Sequence, residues 1–317
     1  MGMEDYPRTL AELETRFSTE EECLQYLFDL RWPEGFVCPQ CGHPKGWRNQ
    51  RGFIQCATCS AQTSVTAGTI FHRTRKPLTM WFRAAWWVTS QKTGASALGL
   101  QQILGLGSYE TAWTWLHKLR RAMVRPGRER LSGRVEVDES YWGGPEPGRT
   151  GRGAGKKSLV VIAVEENGRG MGRIRMRRVP DASGPSLKAF VAEAVELGSV
   201  IHTDGWDGYS GLEGKGYIHE VTVLKKTSGQ ASDLLPRVHR VAALLKNWLH
   251  GTHQGAISGE HLDYYLDEFT FRFNRRASRY RGKLFYRLLQ QAVVSAPTSY
   301  TDIIKGVRGR KPRKHKM

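Results

Sequence analysis

The chain has 317 residues and carries 48 Lys and Arg against 30 Asp and Glu, a formal net charge of +18. That length allows two or three folded units, and so large an excess of positive charge suits a polyanionic partner. No apolar run approaches the ~20 residues of a membrane span, and the start Met1-Gly2-Met3-Glu4-Asp5-Tyr6 shows no secretory leader. Four of the five cysteines form one cluster rather than a dispersed disulfide framework, which fits a reducing cytoplasm.

Residues 1–34 read as a helical packing segment, with Ser18 and Glu21 at capping-box spacing before the apolar face Leu24, Leu27, Phe28 and Leu30. Residues 35–75 hold Cys38-Pro-Gln-Cys41 and Cys56-Ala-Thr-Cys59, two knuckles separated by 14 residues. This is the spacing of a zinc ribbon. Four protein thiolates would leave no open coordination position, so Cys38, Cys41, Cys56 and Cys59 are expected to hold a structural Zn²⁺. Gly42 supplies the turn after the first knuckle, and His43 reads as a loop residue.

Residues 76–128 change character. Leu78, Phe82, Ala85, Trp86 and Thr89 fall on one helical face, and the crowd of Trp81, Phe82, Trp86 and Trp87 reads as core. A second helix over Ala95–Leu104, the turn Gly105-Leu106-Gly107 and a third helix capped by Ser108 give a helix-turn-helix layout. Lys118, Arg120, Arg121 and Arg125 line its second helix and exit, which favours DNA binding over a plain helical hairpin.

After Pro126-Gly127 the pattern turns strand-rich. Strands are expected over Arg134–Glu139, Leu159–Val164, Gly172–Val179, Val200–Asp204 and Ile218–Leu224. Helices are expected over Ser186–Leu197, over Pro236–His250 and twice within 259–295, in a mixed α/β domain spanning 129–298. Gly143–Gly155 reads as a Gly- and Arg-rich loop. The tail 299–317 is basic from Gly306 onward, a composition that suits phosphate contacts without sequence preference.

Two β-branched runs end on acids: Val135-Glu136-Val137-Asp138 and Val200-Ile201-His202-Thr203-Asp204. If those strands are neighbours, Asp138 and Asp204 form an oxygen cage for hard divalent cations, the arrangement that two-metal phosphoryl transfer requires. The long helix offers His239 and, seven residues on and so on the same face, Lys246. An imidazole can ligate a metal or move a proton, and an ammonium can hold a phosphate. Glu260, Glu268 and Asp207 are fallback acids. Glu136 shares the face of Asp138 and suits an outer-shell role, whereas Glu268 and Arg272 read as helix packing.

The segments Val137-Asp-Glu-Ser-Tyr-Trp-Gly-Gly144, His202-Thr-Asp-Gly-Trp-Asp-Gly-Tyr209, Leu245-Lys-Asn-Trp-Leu-His-Gly-Thr-His-Gln-Gly255 and His261–Arg276 resemble bacterial insertion-sequence transposases of the ISXO type. The resemblance runs from the ribbon to about Ala292. It implies an α/β fold with an RNase H-like mixed sheet flanked by helices, preceded by the ribbon and the helix-turn-helix. It also implies DDE-class chemistry with Mg²⁺ or Mn²⁺, cleavage at terminal inverted repeats, and joining of 3′-hydroxyl ends to target DNA.

Carried over by position, the first two acids are Asp138 and Asp204, and the third place holds His239 where many relatives have glutamate. Imidazole there suits Mn²⁺ better than Mg²⁺. The expected partners are double-stranded DNA, as element ends and target, and further copies of the chain on that DNA. The expected location is the bacterial cytoplasm, in association with the nucleoid. Three rival readings are a catalytically inactive DNA-binding regulator, a nuclease without a joining step, and an RNA-binding zinc protein.

Overall fold

The computed structural model describes residues 4–124, 127–143, 157–222, 234–254 and 257–306. The Gly- and Arg-rich loop after Gly143, the basic tail after Gly306, and Arg125 lie outside the described residues. The chain divides into two compact units, one made of residues 1–125 and 278–317, the other of residues 126–277.

The first unit begins with α1 (Leu10–Arg16) and α2 (Glu20–Arg31). The capping box of α2 lies one residue later than the sequence suggested. Glu22 donates its backbone N–H to the Thr19 hydroxyl at 3.3 Å, and the Glu22 carboxylate accepts from Thr19 N at 2.8 Å. Both candidate pairs have the required spacing, and the residue that adopts the extended cap conformation is Thr19.

A three-stranded antiparallel ribbon follows, β1 (Gly46–Arg48), β2 (Ile54–Cys56) and β3 (Gln62–Thr63), in the order β1-β2-β3. Next come α3 (Leu78–Ser90), α4 (Ala97–Leu104) and α5 (Tyr109–Ala122). Gly105 ends α4 in the left-handed conformation at φ 60°, a position suited to a residue without Cβ. Trp81 stacks on Trp115 with centroids 3.8 Å apart, so the tryptophan crowd builds core, as its spacing suggested.

The second unit contains β4 (Arg134–Trp142), β5 (Ser158–Asn167), β6 (Gly170–Val179), α6 (Gly184–Ala194), β7 (Val200–Thr203), β8 (Ile218–Val221), α7 (Pro236–His253) and α8 (Leu262–Phe273). The sheet order is β6-β5-β4-β7-β8. β4, β5 and β6 pair antiparallel in sequence, while β7 runs parallel to β4 and β8 parallel to β7. This is the RNase H-like mixed sheet that the sequence led us to expect.

The run Leu159-Val160-Val161-Ile162-Ala163-Val164 shows why β5 is central: it is apolar on both faces. Leu159, Val161 and Ala163 pack with Leu187, Phe190 and Val191 of α6. Val160, Ile162 and Val164 pack with Val238, Val241 and Leu245 of α7 and with Leu266 and Phe269 of α8. The sheet is thus clad by helices on both sides.

The chain then returns to the first unit with α9 (Arg281–Ala292) and α10 (Tyr300–Ile304). We had expected α9 inside the catalytic domain, up to residue 298. Instead Phe285 lies among Phe17, Tyr26, Phe82 and Trp86, with ring centroids 5.7–6.4 Å away. The amphipathic pattern of α9 marked it as a packing helix without saying which core it fills.

Candidate active site

The ribbon site is assembled by local turns. The two knuckles bring Cys38 Sγ to 3.7 Å from Cys59 Sγ and Cys41 Sγ to 3.6 Å from Cys56 Sγ, and all four sulfurs lie within 4.8 Å of one another. Sulfurs about 2.3 Å from a tetrahedral zinc would sit about 3.8 Å apart, so the quartet fits Zn²⁺. Left-handed residues close each knuckle, Gly42 at φ 76° and Ser60 at φ 56°. Backbone N–H groups of Cys59 and then Thr58 pull the Cys56 thiol down to about 6, favouring the thiolate that a metal takes.

The acid site depends on sheet register. β4 and β7 pair as Arg134↔Val200, Val135↔Ile201 and Glu136↔His202. Asp138 and Asp204 each lie two residues beyond the last of these pairs, so the two acids stand at one level, Asp138 within β4, which runs on to Trp142, and Asp204 just past the end of β7. Adjacent strands run about 4.8 Å apart. Alternation puts Glu136 and Asp138 on the sheet face that α7 covers, because Val135 and Val137 pack against the opposite, α6, side.

His239, in the first turn of α7, places Nδ1 3.8 Å from Asp138 Oδ2, with side chains 33 % and 18 % exposed. Two ligands of one hard cation, each about 2.1 Å from it, stand no more than about 4.2 Å apart, so this pair is correctly spaced. The Asp204 carboxylate turns toward its own loop, where Oδ1 accepts from Trp206 N at 3.0 Å. Among the described residues, the cysteines form the one group of three or more His, Cys, Asp or Glu with converging ligand atoms. Asp138, Asp204 and His239 do not close into such a group. Lys246 is exposed, seven residues and about 10.5 Å further along α7.

Several contacts that orient this site were less visible in sequence. Helix α7 begins at Leu235-Pro236 without a side-chain cap of its own. Glu136, 1 % exposed, supplies the cap from β4: its Oε2 accepts from Arg237 N and Val238 N, both at 2.8 Å. The Arg237 guanidinium donates to Glu136 at 2.9 Å, to Glu166 at 3.1 Å, and to the carbonyls of Gly168 at 2.9 Å and Gly170 at 3.0 Å. The helix turn that carries His239 is therefore fastened to the strand that carries Asp138. An uncapped Leu-Pro helix start is the signal that a remote acceptor is needed.

On the α6 side, the Tyr209 hydroxyl donates to Glu139 at 2.9 Å. Burial, and then the charges of Glu139, Asp138 and Asp204, hold this phenol far above its ordinary range.

The fallback acids do not join them. Glu268 is fully buried and accepts from Arg272 at 2.8 Å, the packing role expected of that pair, while Glu260 and Asp207 are exposed. In the helix-turn-helix, α4 and α5 form as expected, but their basic residues are not a free DNA-facing row. Arg120 is 1 % exposed and reaches the Ala95 carbonyl at 3.4 Å. Arg121 donates to the Thr298 hydroxyl, and burial pulls the Lys118 amine down. Helical periodicity placed these residues on α5 without revealing that half of its residues, Arg120 among them, are buried.

Residues 130–274 match the ISXO2-like transposase domain, and residues 18–62 match the transposase zinc-ribbon domain. The chain carries an ISXO2-like transposase domain behind a transposase zinc ribbon. A curated relative, an uncharacterised protein of transposable element ISH50 from Halobacterium salinarum, is 26% identical over 290 residues, 84% of this chain and 94% of the relative. Among solved structures, a pre-cleavage Mos1 transpososome aligns over 71% of this chain and 77% of its own at 12% identity, with a TM-score of 0.29, too low to compare folds. The matched transposase domain coincides with the second unit and ends before α9, in keeping with the placement of that helix in the first. No helix of this transposase is long and apolar enough to cross a membrane among the described residues.

Proposed function

We propose that this transposase cleaves DNA at the terminal inverted repeats of its element and joins the freed 3′-hydroxyl ends to target DNA. Asp138, Asp204 and His239 would hold Mg²⁺ or Mn²⁺. The observation that carries the reading is the shared level of the two aspartates on adjacent parallel strands, with His239 3.8 Å from Asp138. The donor set suits the group: two carboxylates for a hard cation, and an imidazole that tilts the preference toward Mn²⁺. When bound, such ions activate an attacking oxygen and neutralise charge on the leaving one.

The chain's own residues do the positioning. Glu136 and Arg237 fix the first turn of α7, and that turn aims the His239 imidazole at Asp138. The Trp206 N–H orients the Asp204 carboxylate. Lys246 extends the same helix face toward solvent, where its ammonium would hold a phosphate of the DNA end. The ribbon and the neighbouring helices would engage the repeats, and pairing of two ends would call for more than one copy of the chain.

The test is cleavage of a duplex carrying the element end, with Mn²⁺, by the wild type and by Asp138→Ala. We expect a nick at the repeat boundary from the wild type and no detectable product from the variant. Equal behaviour of the two proteins would sink the enzyme reading and leave a DNA-binding regulator. Cleavage without a joined product in a strand-transfer assay would reduce the activity to that of a nuclease.

A further inference from the structure

The ribbon sheet has two unlike faces. On the inner face, Ile54 and Cys56 are buried, and a Cβ added at Gly46 would meet the Phe36 ring at 2.7 Å. The outer face follows from the register. Trp47 lies opposite Gln55, which lies opposite Gln62, and the ladder continues with Asn49 N donating to Phe53 O at 2.8 Å. Alternation therefore puts Trp47, Asn49, Phe53, Gln55 and Gln62 on one side. Trp47 is 52% exposed and Phe53 38%. The two rings are diagonal neighbours, about 7–8 Å apart at their backbones, with Lys45 and Arg51 exposed beside them.

The segment that builds this face carries charge of one sign. No Asp or Glu occurs between Glu34 and Glu110, a stretch that holds eight Lys and Arg. Arg48, on the inner side, is paired with Glu21 and stands apart from the outer face. Exposed aromatics on an acid-free basic sheet suit a ligand that is both polyanionic and rich in flat apolar rings.

We propose that the outer face of the ribbon binds unpaired nucleotides of DNA, with bases stacked on Trp47 and Phe53 and flanking phosphates held by Lys45 and Arg51. Duplex DNA fits this face less well. Its base faces are already covered by their neighbours, and groove readout needs hydrogen-bonding groups aimed at base edges. Here the Asn49 side-chain amide oxygen already accepts from Arg51 N at 3.0 Å and Phe53 N at 3.1 Å. The Gln55 and Gln62 amides remain in place to meet the edges of a splayed base. The inference rests on the DNA-handling reading above and deepens the ribbon's share of it: this face grips the opened strands of a repeat end, such as those at a cut or frayed terminus.

The experiment compares the zinc-loaded full chain with Trp47→Ala and Phe53→Ala in binding a labelled oligothymidine strand and a blunt duplex of equal length. Each substitution should weaken single-strand binding on the order of tenfold or more and leave duplex binding nearly unchanged, while Trp47→Phe restores most of the single-strand affinity. Arg51→Ala should reduce the slope of log affinity against log salt by about 0.7 on the single strand. Zinc content and sedimentation are measured in parallel. Unchanged single-strand affinity, or equal losses on both DNAs, overturns the proposal. A change in oligomeric state with single-strand affinity intact also overturns it, and assigns the face to contact between copies. If the wild type binds neither DNA, the DNA-handling reading fails, a result distinct from failure of this face alone.

Discussion

The ribbon quartet and the proposed acid site are assembled in opposite ways. Cys38, Cys41, Cys56 and Cys59 lie within 22 residues, and two tight turns bring their sulfurs together. Asp138, Asp204 and His239 span 102 residues, and they approach one another only because β4 pairs with β7 and α7 docks on the sheet. A site made by turns closes with its local segment. A site made by register inherits every error in sheet pairing and helix docking. Structural binding suits the first arrangement, and chemistry with exchangeable ions suits the second.

The sharpest way to break this contrast is to remove one metal ligand from the ribbon. Cys56→Ser, or chelation, removes binding energy on the order of 10 kcal/mol that doubles as folding energy. Residues 35–75 should then become sensitive to protease, while the second unit keeps its cooperative melt, as followed by limited proteolysis and calorimetry. If the acid-site unit melts with the ribbon, the two sites are not independent.

A smaller effect is expected at the clamp. Glu136→Ala leaves the Arg237 and Val238 N–H groups without their cap, while Arg237 keeps Glu166 and the Gly168 and Gly170 carbonyls, and should cost about 1–3 kcal/mol. Glu136→Gln keeps the shape and loses the charge. It should weaken Mn²⁺ activation of cleavage about 10–100-fold, seen in a metal titration with the melting temperature measured alongside. An unchanged titration would mean that docking of α7 does not govern the site.

The smallest effect is a pH dependence away from both sites. Burial works against ionised Glu165, but contacts from Arg173, Ser132 N and Arg173 N outweigh it and hold the carboxyl below its usual range. A depressed folded value means stability that is present above the unfolded pKa of about 4.3 and lost as pH falls through the folded one. Glu165→Gln should flatten the acid limb of the second unit's melting temperature and leave the ribbon's response unaltered.

The same contrast explains what could be read from the chain. The thiolate quartet was legible because its spacing alone dictates the turns. The strands of the RNase H-like sheet were legible from β-branched runs. Asp204 stands at a strand end, as its run suggests, whereas Asp138 lies mid-strand, because β4 continues through Ser140 and Tyr141 to Trp142 in its pairing with β5. Glu136 could be assigned to the face of Asp138 by alternation. Its cap on Arg237 and Val238 could not be seen, since no local pattern joins residues about a hundred positions apart. Arg120 misled for the same reason: on a helical wheel it is a charge, and only the packing around Ala95 shows it buried.

The return of α9 has a consequence for the order in which the molecule can be made. Phe285 completes an aromatic cluster begun by Phe17 and Tyr26, and Gly282 passes so near the Pro7 carbonyl that an added Cβ would stand 1.7 Å from it. During synthesis, the unit that carries the ribbon stays unfinished until the whole acid-bearing unit has left the ribosome. A product cut short before Ser278 therefore lacks the helix that closes the first unit and leaves the aromatic rings of Phe17, Tyr26 and Phe82 without their cover.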